Sequence, residues 1–214
     1  MNKKVFFLFF YLLSAFFLNA QNVDGGATNL LQELSSKYHN FTTIKIDYTY
    51  KSEKEKKVLG SEKGKMTLKG NKYYMTFGAQ TFYCDGVTLW NHQKESNEVS
   101  IFAYEEEEDM LFNPAKLLEN WEKEFRAKFI REEFENNKIV QIIDMMPLKS
   151  KSYYKIRLFI DKNKKEIIRA SLYEKDNTIY TYFVDKFITN SPVEDSFFHF
   201  NTSQYPNITI NDMR

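Results

Sequence analysis

The chain is poor in the residues that most often announce a function. It has one cysteine, Cys84, in 214 residues. That excludes an internal disulfide, so the fold has to rest on its apolar core. Seven glycines all lie at or before Gly86. Beyond that point asparagine has to supply the turns that need positive φ, at Asn136-Asn137, Asp161-Lys162-Asn163 and Asp176-Asn177. No excess of either charge exists, with 30 Lys and Arg against 29 Asp and Glu. This balance argues against nucleic acid as a partner, because neutralising phosphates takes a basic surplus or stripe. The three histidines, His39, His92 and His199, are far apart and form no HxxxH pair, so no metal site is expected. There is no GxSxG and no glycine-rich phosphate loop. No cofactor and no catalysis are expected.

What is present begins at the N-terminus. Lys3 and Lys4 precede a 14-residue apolar run, Val5 to Leu18, followed by Asn19-Ala20-Gln21. This reads as a secretory signal, residues 1–20, cleaved after Ala20. The run is too short for a spanning helix, which needs about 20 apolar residues. No cysteine stands at the cut to carry a lipid. The expectation is an exported, soluble, monomeric single domain over residues 21–214. Without Lys3 and Lys4 the 30 cations become 28 against 29 acids, and net charge moves from +1 to −1. Of 36 aromatic residues, 29 remain in the mature chain. That is more than a core of this size requires, and it points to a large apolar interior or cavity.

Thr28 to Tyr38 reads as a helix capped by Thr28, with Leu30, Leu31, Leu34 and Tyr38 on one face. The period then changes to two. Ile44, Ile46, Tyr48 and Tyr50 alternate with polar residues, as in a half-buried strand. Strand-like runs follow at 63–69, 72–77, 81–84, 87–92 and 98–104. Glu105 to Asp109 is an acidic run and reads as a solvated loop. Asn113-Pro114 is an N-cap with proline at the first helical position, and Leu117, Leu118, Trp121 and Phe125 form a helical stripe. Strands return at 125–132, 139–145, 153–160, 166–173 and 178–187, and the tail 197–213 adds one or two more. About ten or eleven short strands with two helices predict one large antiparallel sheet, curled or nearly closed.

The stretch YCDGVTLWNH contains Cys84, Asp85 and His92 together. Asp85-Gly86 between two β-type runs predicts a two-residue hairpin turn, pairing Cys84 with Val87. Alternation then puts Cys84, Phe82, Val87 and Leu89 on one face. Tyr83, Thr88, Trp90 and His92 lie on the other. Cys84 and His92 cannot form a catalytic pair within such a hairpin, and Cys84 reads as a small buried apolar residue.

Several stretches in order resemble a known family. They are TIKIDYTY, EKGKMTLKGNKYYMTF, CDGVTLWNH, the helix after Asn113-Pro114, YYKIRLFIDKNKKEIIRASLYEKDNTIYTYFVDKF and EDSFFHFNTSQYPNITINDMR. Together they are similar to the periplasmic outer-membrane lipoprotein carrier protein, LolA family, from about Asn29 to Arg214. The resemblance implies an incomplete antiparallel β-barrel covered by a helical lid. It implies a periplasmic carrier of the acyl chains of lipoproteins. Such a carrier accepts cargo from an ATP-driven extractor in the inner membrane and delivers it to an outer-membrane acceptor. The alternative is a lipid- or lipoprotein-sensing or scaffold protein on the same half-barrel, though such regulators often carry a second domain for which this chain has no room.

On that reading the lid presents Leu31, Leu34 and Tyr38 from the first helix, and Leu117, Leu118 and Trp121 from the second. Ile46, Tyr48, Met66, Leu68, Tyr74, Phe82 and Leu89 form the cavity wall. One departure stands out. Well-studied members have an arginine after the G-x-L-x-V-K strand, thought to bond the lid. Gly70 takes that place here, and Lys69 and Lys72 are the neighbouring cations left to substitute.

Overall fold

Strand alternation and a few register faults generate the architecture. The computed structural model describes residues 24–104 and 113–214. The leader expected over residues 1–20 and the acidic run Glu105–Asp109 lie outside the described residues. Helix α1 (Gly25–His39) is followed by β1 (Ile44–Lys54), β2 (Lys57–Lys69), β3 (Lys72–Phe77), β4 (Gln80–Cys84), β5 (Thr88–Gln93) and β6 (Glu98–Ala103). Two short helices, α2 (Pro114–Glu119) and α3 (Trp121–Glu124), come next. The chain continues through β7 (Phe125–Glu135), β8 (Lys138–Pro147), β9 (Tyr153–Asp161), β10 (Glu166–Glu174) and β11 (Thr178–Thr189). It ends in two 3-10 turns and β12 (Thr209–Asp212).

All twelve strands form one open sheet in the order β12-β6-β5-β4-β3-β2-β1-β11-β10-β9-β8-β7. The curled, incomplete barrel expected from the sequence is therefore present, with one strand more than the upper count. One pairing departs from the antiparallel rule, since β12 runs parallel to β6. Four bulges lie in the C-terminal half. They fall between Phe129 and Arg131, between Ile167 and Arg169, in β11 opposite the Asp47/Tyr48 step, and at Tyr154 in β9 opposite the Tyr173/Glu174 step. A bulge adds one residue to one strand, bends it and increases its twist.

The turns follow the sequence in part. Asn136, Asn137 and Asn177 take φ of 48°, 60° and 69°. At the β9–β10 turn Lys165, not Asn163, has positive φ, at 51°. The Asp85-Gly86 turn is wider than expected. Cys84 pairs with Leu89, not with Val87. The Asp85 carboxylate accepts the backbone N–H groups of Val87 at 2.9 Å and Thr88 at 2.8 Å. This aspartate-centred turn needs two more residues than a minimal hairpin.

The main core fills the concave side. It joins α1, α2 and α3 to the inner residues of β1–β4 and β7–β10. A second cluster of Trp90, Val99, Ile101 and Phe200 lies on the opposite face of β5 and β6, under the C-terminal segment. A third, Val140, Ile142 and Phe159, lies outside the C-terminal strands. There the Arg169 guanidinium sits 3.8 Å from the Phe159 ring centre and forks onto Glu135.

Candidate functional site: an apolar lumen under a helical lid

The lid is fixed at its start by one carboxylate. Asp24, not Thr28, caps α1: its Oδ1 accepts from Gly26 N at 3.1 Å and Ala27 N at 3.2 Å. Oδ2 accepts from Phe129 N at 2.9 Å, which ties the helix to edge strand β7. The Phe129 N–H, set against the cost of burial and aided by the two cap donors, holds the Asp24 carboxyl below the usual carboxylate range. At the other end Lys37 donates to Glu166 at 3.4 Å, and Lys165 pairs with Glu33 at 3.0 Å. Tyr38 is buried between them. Its hydroxyl accepts from Ile167 N at 3.0 Å, and burial pushes its ionisation far up. Asn113 caps α2, as the sequence indicates, accepting from Ala115 N and Lys116 N at 3.1 and 3.3 Å. The α2 helix packs against α1.

Beneath the lid is a lumen with a cavity of about 100 Å³. Tyr38, Ile46, Tyr48, Met66 and Leu117 line it, as the sequence reading placed them. Pro114, Leu158, Ile167, Ala170, Tyr182, Val184 and Phe187 complete it. None of these described lining residues carries a charge. Burial pushes the Tyr48 hydroxyl up to about 12 and that of Tyr182 further still, so both stay neutral donors.

The remaining sequence-derived residues lie in several different places. Leu31, Leu34 and Leu118 are fully buried between lid and sheet, inside the same core but not on the lumen surface. Leu68 lines a neighbouring cavity, while Phe82 and Leu89 pack on the margin of the core. Trp121 is buried in the same main core and also borders a separate surface groove with Gln32, Ser35 and Ser36. Tyr74 is a correction. It lies on the outer face, 5.1 Å from Tyr83 and 5.0 Å from Phe197, ring centre to ring centre. The Gly70-Asn71 turn pairs Lys69 with Lys72 and so Leu68 with Tyr73. Tyr73 and Met75 therefore face inward, not Tyr74.

Lys69 and Lys72 do not serve as lid contacts. Lys69 donates to Val193 O at 2.9 Å and to Asp195 at 2.8 Å, and Lys72 donates to Asp195 at 2.6 Å. They clamp the C-terminal segment. At Gly70 a Cβ would meet nothing within 4 Å, and its φ is +56°.

The lumen residues missed from sequence are mostly those past a bulge. Ile167 pairs with Ile160, but after the bulge Ala170 pairs with Leu158. Both face inward although they are three positions apart, where regular alternation would put them on opposite faces. Val184 and Phe187 are related in the same way across the β11 bulge. A strict period of two assigns one member of each pair to the wrong side. The Leu158 face alone was legible from Ile156, Leu158 and Ile160.

Cys84 is fully buried in the main core, and His92 is buried on the other face against Phe200 and Tyr205. The opposite-face reading holds despite the wider turn, because a shift of two residues preserves alternation. Among the described residues no group of three or more His, Cys, Asp or Glu is placed to hold a metal.

A curled open sheet with helices over an apolar lumen defines a β-half-barrel. The sequence profile of the family described as outer membrane lipoprotein carrier protein LolA matches residues 20–171. The chain belongs to that family. No curated protein matches it. Among solved structures, an uncharacterized conserved protein from Thermus thermophilus is similar at TM-score 0.58 and 8% identity, covering 86% of this chain and 98% of the other. The Mycobacterium tuberculosis lipoprotein LppX has TM-score 0.48 and 14% identity over 78% and 98%. A LolA superfamily protein from Nitrosomonas europaea has TM-score 0.40 and 10% identity over 81% and 97%. Among the described residues no helix is long and apolar enough to cross a membrane.

Proposed function

We propose that this protein is a soluble periplasmic carrier that shelters the acyl chains of lipoproteins in its lumen and moves them from inner to outer membrane. On this reading it receives cargo from an ATP-driven inner-membrane extractor, delivers it to an outer-membrane acceptor and catalyses nothing. Family membership supports the class of cargo. The observation that carries the reading is the lumen itself, apolar and uncharged, with Pro114 and Leu117 of the lid on its surface.

The physics suits transport more than storage. Burying an acyl chain is worth about 0.8 kcal/mol per methylene. A cavity that holds benzene measures about 150 Å³, and this lumen offers about 100 Å³. It has no room for an acyl chain while the lid is down. Cargo has to displace lid side chains, and breaking the packing of lid on barrel offsets part of the gain from burial. That offset keeps release within reach.

The test is binding of a fluorescent acylated probe to the purified mature protein, with mass spectrometry of lipids and lipoproteins that co-purify from the periplasm. Ala170→Phe fills the lumen and is expected to weaken binding at least tenfold. Trp121→Asp breaks the packing of lid on barrel and is expected to abolish it. A folded protein that binds neither the probe nor a triacylated peptide ends the proposal.

A further inference from the structure

We infer that the polar cavity beside the lid receives the carbonyl-bearing head of the cargo, so that this carrier reads the glyceryl-ester and peptide end of an acylated molecule as well as its chains. The inference rests on the carrier reading above.

The cavity lies between the C-terminus of α1, the start of β1, the β2–β3 turn and α2. Its volume is about 270 Å³, well above the lumen's 100 Å³. The two spaces differ in chemistry. Around the lumen every side chain is apolar or aromatic. Around the second cavity Ile44 and Leu68 supply apolar contact, while Thr42, Asn71, Asn113, Lys116 and the carboxylate of Glu119 are among its polar groups. Tyr38 lines both, so the two spaces adjoin at this side chain. Gly70 stands on its rim and sends no side chain across it; even a Cβ there would find open space.

This order matches one class of ligand. A diacylglyceryl-cysteine carries its alkyl chains on ester carbonyls, then a thioether, then peptide carbonyls. The alkyl part gains from the lumen. The carbonyls are acceptors, and burying them without donors is costly. The cavity next to the lumen offers donors at the required step, the Asn71 amide on the rim and the Lys116 ammonium, which the Tyr104 hydroxyl holds at 2.7 Å. A site built around such acceptors discriminates strongly against cargo that lacks them.

The test measures affinity of the mature protein for three probes: palmitate, dipalmitoylglycerol and an S-dipalmitoylglyceryl-cysteine peptide. The variant Asn71→Trp fills the cavity from its exposed rim, and Asn71→Leu removes the amide without filling it; thermal melts confirm that both are folded. Asn71→Trp is expected to weaken the peptide about tenfold or more while palmitate changes less than about twofold. Asn71→Leu is expected to weaken the peptide by a smaller factor in the same direction. A parallel loss for dipalmitoylglycerol assigns the ester carbonyls. A loss confined to the peptide assigns the peptide carbonyls, and either result supports the inference. Equal losses for all three probes, or none for the peptide, overturn it while the carrier reading stands. Should wild type bind none of the three, the carrier reading falls and takes this inference with it.

Discussion

The Tyr38 hydroxyl, at the last turn of the lid helix, accepts the backbone N–H of Ile167 in β10 at 3.0 Å. This one buried hydrogen bond joins lid to barrel across the strand bulge at the lumen wall. Tyr38→Phe leaves the Ile167 N–H without its acceptor, which costs about 1–3 kcal/mol. For a protein of this size that lowers Tm by about 2–4 °C per kcal/mol. The same change weakens the closed state and leaves the lumen apolar, so probe affinity is expected to rise severalfold. A lower Tm with unchanged or weaker binding would show that this bond does not compete with cargo.

The Lys69–Asp195–Lys72 clamp gives a different expectation. Lys69 and Lys72 draw the Asp195 carboxyl down to about 2, with their hydrogen bonds leading. A carboxyl depressed below its ordinary 3.8 contributes stability at higher pH, and that contribution is lost as pH falls from about 4 toward 2. Asp195→Asn is expected to speed proteolysis of the segment 191–208 at neutral pH, with the difference shrinking in about 1 M salt. Probe binding is expected to be unchanged. A clear change in affinity would return Lys69 and Lys72 to the lid.

His92 is buried with neither ring nitrogen hydrogen-bonded, packed on Phe200 and Tyr205. Burial, and secondarily the Lys94 charge, pull its pKa below the ordinary 6.5. The unfolded chain therefore takes up the proton first. Stability is full above about pH 6.5 and declines as pH drops through that value toward the folded pKa. Melting curves from about pH 7.5 to 5.5 should show Tm falling, and His92→Phe should flatten that fall. The same slope in both proteins would place the sensitivity elsewhere.

Gly64 makes room for a lumen residue. It pairs with Tyr48, whose hydroxyl reaches over it to donate to Thr76 O at 2.7 Å. A Cβ on Gly64 would lie 2.4 Å from Tyr48 Cζ and 2.4 Å from the Thr76 carbonyl oxygen. Gly64→Ala has to move backbone or displace Tyr48 into the lumen. The expected cost is about 1–3 kcal/mol, read as a lower Tm, together with weaker probe binding. Wild-type stability and affinity in Gly64→Ala would mean the ring repacks freely.

Much of this was legible in the sequence because alternation is a local property of a strand. Ile46, Tyr48 and Met66 declared their side of the sheet, and Asn113-Pro114 declared the start of α2. Tyr74 was legible but misplaced. The Gly70-Asn71 turn sets Leu68 opposite Tyr73, and counting from that turn gives the right face. The helix cap moved from Thr28 to Asp24 because Asp24 also holds Phe129, a partner 105 residues away.

The sequence by itself determined that β-strands dominate, that a helix precedes them and a helical stretch interrupts them mid-chain, and that Cys84 and His92 face apart. Each follows from side-chain periodicity, and none depends on which strand lies next to which. Tertiary structure decided where that periodicity slips. At Ile130, Ile168 and Asp185 the facing strand has no partner residue. The extra residue swells the strand and turns its later side chains to the other face. Ala170 and Val184 reach the lumen together with Ile167 and Phe187 only because of those faults. Tertiary structure also sent Lys69 and Lys72 to Asp195, since the segment that brings Asp195 within reach follows β11 and crosses the outer face on its way to β12 at the far edge.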